Sequence, residues 1–427
     1  MPKIETAEGS PGRPLARGRT RRMFVVALCA VGAEKVVSNE IRKLDLTVSE
    51  SGFGRVRFEA DITGVYRTLM GLRAADRLLL EVARFKALDF DALFEGVRQQ
   101  AWEEHIPSGM GLRVAKVRTN RSVLKAETSI QAVVHKAAAE KLCTKWRINR
   151  LPEHGSEAEL RVYIEKDLVS VLLDLSGEPL FKRGYRTRGG TAPLRETTAA
   201  AIILLSGWKR KFPLYDPFCG SGTIVIEAAM YAWDIAPGLG RRFALEQLLL
   251  SDRETERKVR EDFLEKVDFS RLVRIGGSDN DAASVAAAIA NMDKALALAG
   301  RRRPAKAGGT GMKPGTEASP LAELKTQLTD APSFFKVLPI EKAKPLAERA
   351  EGFIITNPPY GRRIGDAEYA EKTYSEMKNL IPHFPGWKLA LISDHSGFES
   401  FFGRKADSCR EITNGAIRSY LYQYEKL

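Results

Sequence analysis

From Leu214 onward, short apolar runs alternate with helical stretches, an order that few folds accept. The spacing predicts a strand ending at Asp216, a helix from Thr223, a strand over Leu272–Ile275 and a helix over Ala282–Leu298 closed by Gly300. Further strands are predicted at Phe334–Leu338, Gly352–Thr356 and Lys388–Ile392. A last one, Arg418–Tyr424, puts Tyr420, Tyr422 and Tyr424 on one face, where packing is the simpler role. Such βα alternation implies a doubly wound α/β sheet. Residues 301–333 interrupt the series with Arg301-Arg302-Arg303-Pro304 and glycine-rich text, and read as an inserted loop.

The upstream half has a different rhythm. Strands are predicted at Phe24–Leu28, Val56–Phe58, Gly111–Val117 and Leu160–Ile164. Helices are predicted at Gly32–Leu44, Ile62–Met70, Phe90–Trp102 and Ile130–Leu142. Small α+β units therefore occupy the chain to about residue 175. A basic stretch follows, in which Lys182, Arg183, Arg186, Arg188, Arg195, Lys209, Arg210 and Lys211 face one acid, Glu196. Within it Pro193 suits a helix's first turn, Ala199–Leu205 the body and Gly207 the close.

Charge bounds the partner. The 427 residues carry 67 Lys+Arg against 54 Asp+Glu, a net charge of +13, which favours a polyanion through phosphate neutralisation. Cys29, Cys143, Cys219 and Cys409 lie far apart without metal-ligand spacing, so no disulfide framework or metal site is expected, and a reducing cytoplasm fits. No apolar run is long enough to span a membrane. Residues 1–22, with five arginines and no apolar core, are expected to be a disordered basic arm.

The run from Leu214 to Thr223 couples a strand to a helix through Asp216, Pro217, Cys219, Gly220, Ser221 and Gly222. A dinucleotide fingerprint would need glycine where Val225 stands, and a phosphate-binding loop would need a lysine that is missing. A carboxylate at Asp216 would repel a pyrophosphate but pair with the ammonium of S-adenosylmethionine (SAM). Asp279, with Asn280 beside it, closes the next predicted strand, where an acid can hold a ribose diol. A helix N-cap suits Asp279 or Asp281 almost as well.

Phe353–Thr356 empties into Asn357-Pro358-Pro359-Tyr360-Gly361 at the carboxyl end of a strand, where ligands of α/β sheets bind. An exocyclic base amine is a poor nucleophile because its lone pair is delocalised into the ring. The Asn357 side-chain oxygen and the Pro358 carbonyl could accept its two N–H bonds and favour the pyramidal geometry of attack. Tyr360 offers a face for the extruded base. Neither a metal nor a covalent nucleophile is required; Cys219 could be proposed as a pyrimidine-attacking thiol, but its place inside the glycine turn argues for cofactor contact.

Together with Leu173–Gly177, Lys182–Arg186, Ala192–Glu196 and Asp234–Leu239, these motifs resemble the THUMP-domain RNA methyltransferases, particularly the bacterial 23S rRNA guanine-N2 group. The resemblance implies a ferredoxin-like piece over residues 23–58, a THUMP RNA-binding domain over 59–175, and a Rossmann-like methyltransferase domain over 176–427. It further implies that Pro193 and Glu196 border the SAM pocket and that the product is N2-methylguanine. The expected RNA contacts are Lys182, Arg183, Arg186, Arg188, Arg362 and Arg363. Two departures stand out: Pro339 occupies the place where the family has an acid for the SAM adenine, with Glu341 nearest, and the 301–333 insertion is long. Alternatives are a tRNA guanine-N2 enzyme, an adenine-N6 or glutamine-amide methyltransferase, and a non-catalytic RNA-binding assembly factor.

Overall fold

A computed structural model describes residues 22–186, 194–300, 334–346, 351–359 and 366–427. The N-terminal half forms one seven-stranded sheet of order β2-β3-β1-β4-β7-β6-β5. Its strands are β1 (Met23–Cys29), β2 (Thr47–Gly52), β3 (Arg55–Ala60), β4 (Ala75–Lys86), β5 (Gly111–Asn120), β6 (Glu157–Glu165) and β7 (Leu168–Asp174). Helices α1 (Glu34–Arg42), α2 (Ile62–Gly71), α3 (Phe90–Arg98) and α4 (Glu127–Trp146) accompany them. Val25 and Ala27 belong to the main core, whereas Val26, Leu79 and Leu172 form a separate small cluster on the alternate face. Their cross-strand partners on that face are Arg57, Asp174 and Arg161. Arg57 pairs with Glu81 at 2.7 Å, and Arg77 pairs with Asp174, so ion pairs cover this apolar strip.

A boundary at residue 58 would cut β3, and the sheet does not break there. β4 pairs with β1 on one side and with β7 on the other, joining the two α+β units through backbone hydrogen bonds. That strand and the edge strands β2 and β13 were not expected from the sequence.

The C-terminal half is a second seven-stranded sheet of order β10-β9-β8-β11-β12-β14-β13. Its strands are β8 (Leu214–Asp216), β9 (Ile275–Asp279), β10 (Phe335–Val337), β11 (Phe353–Thr356), β12 (Lys388–Ser393), β13 (Ser408–Asn414) and β14 (Ile417–Tyr424). The helices are α5 (Glu196–Leu205), α6 (Thr223–Ala232), α7 (Arg253–Glu265), α8 (Ala282–Gly300), α9 (Asp366–Glu376), α10 (Leu380–His383) and α11 (Phe398–Phe402). Strands β8 to β12 are parallel; β14 runs antiparallel to β12, and β13 antiparallel to β14. From β8 the chain moves outward to β9 and β10, then returns to the other side of β8 as β11. The order of strands therefore reverses between Asp216 and Asn357, the place where open α/β sheets bind ligands.

The predicted strand over Leu272–Ile275 is corrected to Ile275–Asp279, and Leu272 is 72% exposed. Gly276-Gly277 reads as a turn in sequence, yet it lies inside β9 because the glycine loop crosses it closely. A Cβ on Gly277 would stand 2.7 Å from the Cys219 Cβ.

The two halves share a polar seam. Arg73 donates to the Ile235 carbonyl at 2.9 Å, and Gly238 N donates to the Met70 carbonyl at 2.9 Å. Asp234 is held by Arg210 and Arg271. Those two pairs lie within the C-terminal half, so Ile235 and Gly238 are the residues of the Asp234–Leu239 motif that bond across the seam. Among the described residues, no helix is long and apolar enough to cross a membrane.

Candidate active site

Three loops at the carboxyl ends of β8, β9 and β11 meet around a cavity of about 340 Å³. Each is fixed by local geometry. Gly220 and Gly222 adopt left-handed conformations, with φ of 49° and 86°, and Gly222 turns the chain into α6. A side chain at Gly222 would meet Phe335 Cζ at 2.8 Å, so both its dihedral and its surroundings require glycine. The Asp279 carboxylate accepts from Gly220 N at 2.9 Å and from Asp281 N at 3.0 Å, tying the first loop to the second. Asp281 caps α8 through Ala283 N and Ser284 N, so of the two aspartates it is the N-cap.

Asp216 lies at the bottom of the cavity, 1% exposed, and accepts from Thr356 Oγ1 at 2.6 Å and Phe218 N at 3.1 Å. The Thr356 bond crosses from β11 to β8 and locks the residue preceding Asn357 to the glycine loop. Burial pushes the Asp216 carboxyl up to about 7, opposed by those two bonds and reinforced by Asp279. The same burial, with Asp216 and Asp279 nearby, drives the Cys219 thiol far above its ordinary value.

Of the expected site residues, the cavity gathers Asp216, Pro217, Cys219, Gly220, Ser221, Thr223, Asp279, Asn280, Asn357 and Pro359. Pro358 is buried beside them. Pro193, Tyr360, Arg188, Arg362 and Arg363 lie outside the described residues, as do positions 1–21 and 301–333 of the expected arm and insertion. Sequence reasoning missed Tyr369, Thr373 and Glu376, which line the cavity from α9. Their i, i+4, i+7 spacing was the signal that could have found them. Glu341 also reaches the wall, from a 3₁₀ turn over Ile340–Lys342 that starts at Pro339.

Three expectations are corrected. Glu196 does not line the cavity; it is buried behind Arg186, whose Nε lies 3.2 Å from its carboxylate. Arg186 is only partly exposed, 15% at its side chain, and donates to the Leu194 carbonyl at 3.1 Å and Thr223 Oγ1 at 2.9 Å. Arg183 is 2% exposed and serves the fold: it pairs with Glu227, donates to the Leu180 carbonyl at 2.7 Å, and donates to the Arg73 carbonyl across the seam. Only Lys182 among the described expected RNA contacts is well exposed, 58% at its side chain.

Charge selects the ligand. Asp216, Asp279, Glu341 and Glu376 line the cavity, and no Lys, Arg or His does so among the described residues. A phosphate-bearing cofactor would face only like charge there. SAM, with a sulfonium and an ammonium against one carboxylate, fits the donor and acceptor set.

Comparison with known proteins agrees. A profile described as the RMKL-like methyltransferase domain matches residues 183–299 and 330–423, and one for the RlmL ferredoxin-like domain matches residues 25–79. YpsC of Bacillus subtilis (strain 168), named as a candidate RNA methyltransferase, is 32% identical, with 95% of this chain and 96% of the relative covered. The ribosomal RNA large subunit methyltransferase K/L of Marinomonas sp. (strain MWYL1) is 29% identical, covering 93% of this chain. This chain spans only about half of that enzyme, 52% of its length. Among solved structures, SMU.472, a candidate methyltransferase complexed with SAH, superposes with a TM-score of 0.78 at 34% identity, covering 96% of this chain and 99% of that one. A Listeria monocytogenes str. 4b F2365 protein, named as a candidate N6-adenine-specific DNA methylase, gives 0.80 at 32% identity, covering 95% and 97%. By fold, site and these matches, the chain belongs to the RMKL-like family of SAM-dependent methyltransferases.

Proposed function

We propose that the chain methylates the N2 amine of a guanine in RNA, with large-subunit rRNA as the substrate, in the cytoplasm. The observation that carries this reading is the Asn357-Pro358-Pro359 loop facing Asp216 across the point where the strand order reverses. The RNA assignment is supported by the names of YpsC and the K/L enzymes and by the net charge of +13. On this reading, residues 59–175, with β4 shared, include the THUMP RNA-binding unit, and Lys182, Arg188, Arg362 and Arg363 meet the RNA.

When bound, SAM supplies an activated methyl group on its sulfonium. Asp216, Asp279 and Glu341 line the cavity: an ionised Asp216 would orient the ammonium, Asp279 would hold the ribose, and Glu341 would take the adenine amine in place of the family's usual acid. The Asn357 side-chain oxygen and the Pro358 carbonyl accept the two N–H bonds of guanine N2 and hold its lone pair toward the methyl carbon.

Mass-spectrometric mapping of nucleosides in rRNA and tRNA from cells lacking the gene tests this reading. Loss of N2-methylguanine at one large-subunit rRNA position is the expected result. Its loss from tRNA would redirect the substrate, and loss of N6-methyladenine, the chemistry for which the Listeria protein is named, would overturn the guanine assignment.

A further inference from the structure

Behind the Asn357-Pro358-Pro359 loop, one phenol reaches out of α9. Tyr374 is fully buried, and its hydroxyl donates to the Pro359 carbonyl at 3.0 Å while lying 3.0 Å from Ser393 Oγ at the end of β12. A phenol has one proton. With that proton on the Pro359 carbonyl, the Ser393 hydroxyl must donate the second bond, and Ser393 Oγ in turn accepts from His395 N at 3.0 Å. Donors therefore run one way, from the backbone after β12, through Ser393 and Tyr374, to the loop. Burial pushes the Tyr374 hydroxyl up to about 12, which keeps it a neutral donor.

The ring itself cannot swing. Phe398 meets it edge-on at 5.1 Å between centroids, and His395 does so at 5.8 Å. His395 is fixed in turn: its Nδ1 accepts from Gly397 N at 3.1 Å, leaving Nε2 to face Glu371 of α9 at 3.4 Å. The reason for such an anchor lies in the loop's own chemistry. Pro358 and Pro359 have no N–H, so at these two positions the backbone can be tied down only through its carbonyls.

We propose that Tyr374 is a positioning residue for methyl transfer. Holding the Pro359 carbonyl on the side away from the substrate sets the loop so that the Asn357 oxygen and the Pro358 carbonyl meet both N–H groups of the amine together. The proposal rests on that loop being the amine-binding loop, as argued above.

Tyr374→Phe tests it, because the ring and its edge contacts remain while the hydroxyl goes. Single-turnover rates are measured with rRNA from cells lacking the gene, alongside SAM and RNA affinities and thermal unfolding. A small displacement of a reacting group can slow a reaction up to about 100-fold, so the rate is expected to fall about tenfold or more while both affinities stay within about twofold. Ser393→Ala, which leaves the bond from Tyr374 to the Pro359 carbonyl in place but removes the hydroxyl that donates to Tyr374, should give a smaller fall in the same rate. An unchanged rate in Tyr374→Phe, or a fall matched by lost SAM affinity and stability, would overturn the proposal. Asn357→Ala in parallel separates the two ideas. If it is inactive while Tyr374→Phe is fully active, only the anchor is wrong; if it retains full turnover, the loop reading itself fails.

Discussion

Replacing Arg183 probes the seam between the two halves and decides what a basic residue in the Lys182–Arg186 motif does. Its side chain is 1% exposed, as is fitting for a partner of Glu227, whose side chain is fully buried. Tyr185 donates to the same Glu227 carboxylate at 3.1 Å. Removing one member of a buried ion pair strands the other charge and typically costs about 3–5 kcal/mol. Arg183→Met keeps the stem, so little of that is a cavity effect, but it also leaves the Leu180 and Arg73 carbonyls without this donor. A loss of about 4 kcal/mol is expected, a large share of the roughly 5–15 kcal/mol by which domains are stable. Urea unfolding followed by tryptophan fluorescence measures it, with exposed Lys182→Ala as the control. Adding Glu227→Gln to Arg183→Met should restore part of the loss, because no charge is then stranded. Unfolding within about 0.5 kcal/mol of the parent, coupled with weakened RNA binding, would refute the structural role and return Arg183 to the RNA surface.

SAM affinity is expected to rise with pH through about 7, the value to which burial lifts the Asp216 carboxyl from 3.8. The sign follows from the raised value: the neutral carboxyl stabilises the ligand-free protein fully below its ordinary range, and this stabilisation fades as pH rises through about 7, whereas the ligand's ammonium needs the ionised form. Calorimetric titration of SAM across that range should show the trend, and Asp216→Asn should flatten it; a pH-independent affinity in the parent protein contradicts the pairing. Gly222→Ala should weaken SAM binding at least about tenfold, since a non-glycine residue is strained there by about 1–2 kcal/mol and its Cβ would press on Phe335 and Ala288. Parent-like SAM affinity in that variant would show that the loop tolerates a different path.

The sequence revealed the catalytic half where strands are buried on both faces. Phe353–Thr356 and Lys388–Ser393 are apolar runs because helices cover both sides of the sheet, and their carboxyl ends carry the site. It was silent where burial leaves no mark. β2 reads Thr-Val-Ser-Glu-Ser-Gly, almost wholly exposed at a sheet edge, and β13 is similar. β4 does not alternate, because Leu78-Leu79-Leu80 supplies both the main core and the small cluster on the opposite face. The residues proposed for the site were legible as motifs, and Asp216, Gly220, Asp279 and Asn357 line one cavity. Charge misled in the other direction: Arg183 and Arg186 look like a phosphate-binding surface in the sequence, but Arg183 is buried on Glu227 and Arg186 turns inward to Glu196, Leu194 and Thr223. Tyr374 carried no motif at all. Its role depends on a bond to a residue 15 positions earlier in the chain, which only the folded geometry supplies.

In the proposed reaction, Asn357 is the residue on which methyl transfer depends most directly. Purified Asn357→Ala should bind SAM and rRNA with affinities within about twofold of the parent, while single-turnover methyl transfer to rRNA from cells lacking the gene is lost. With the parent enzyme, the same reaction should yield N2-methylguanine. Undiminished transfer by the variant would contradict the claim that this loop binds and orients the reacting amine.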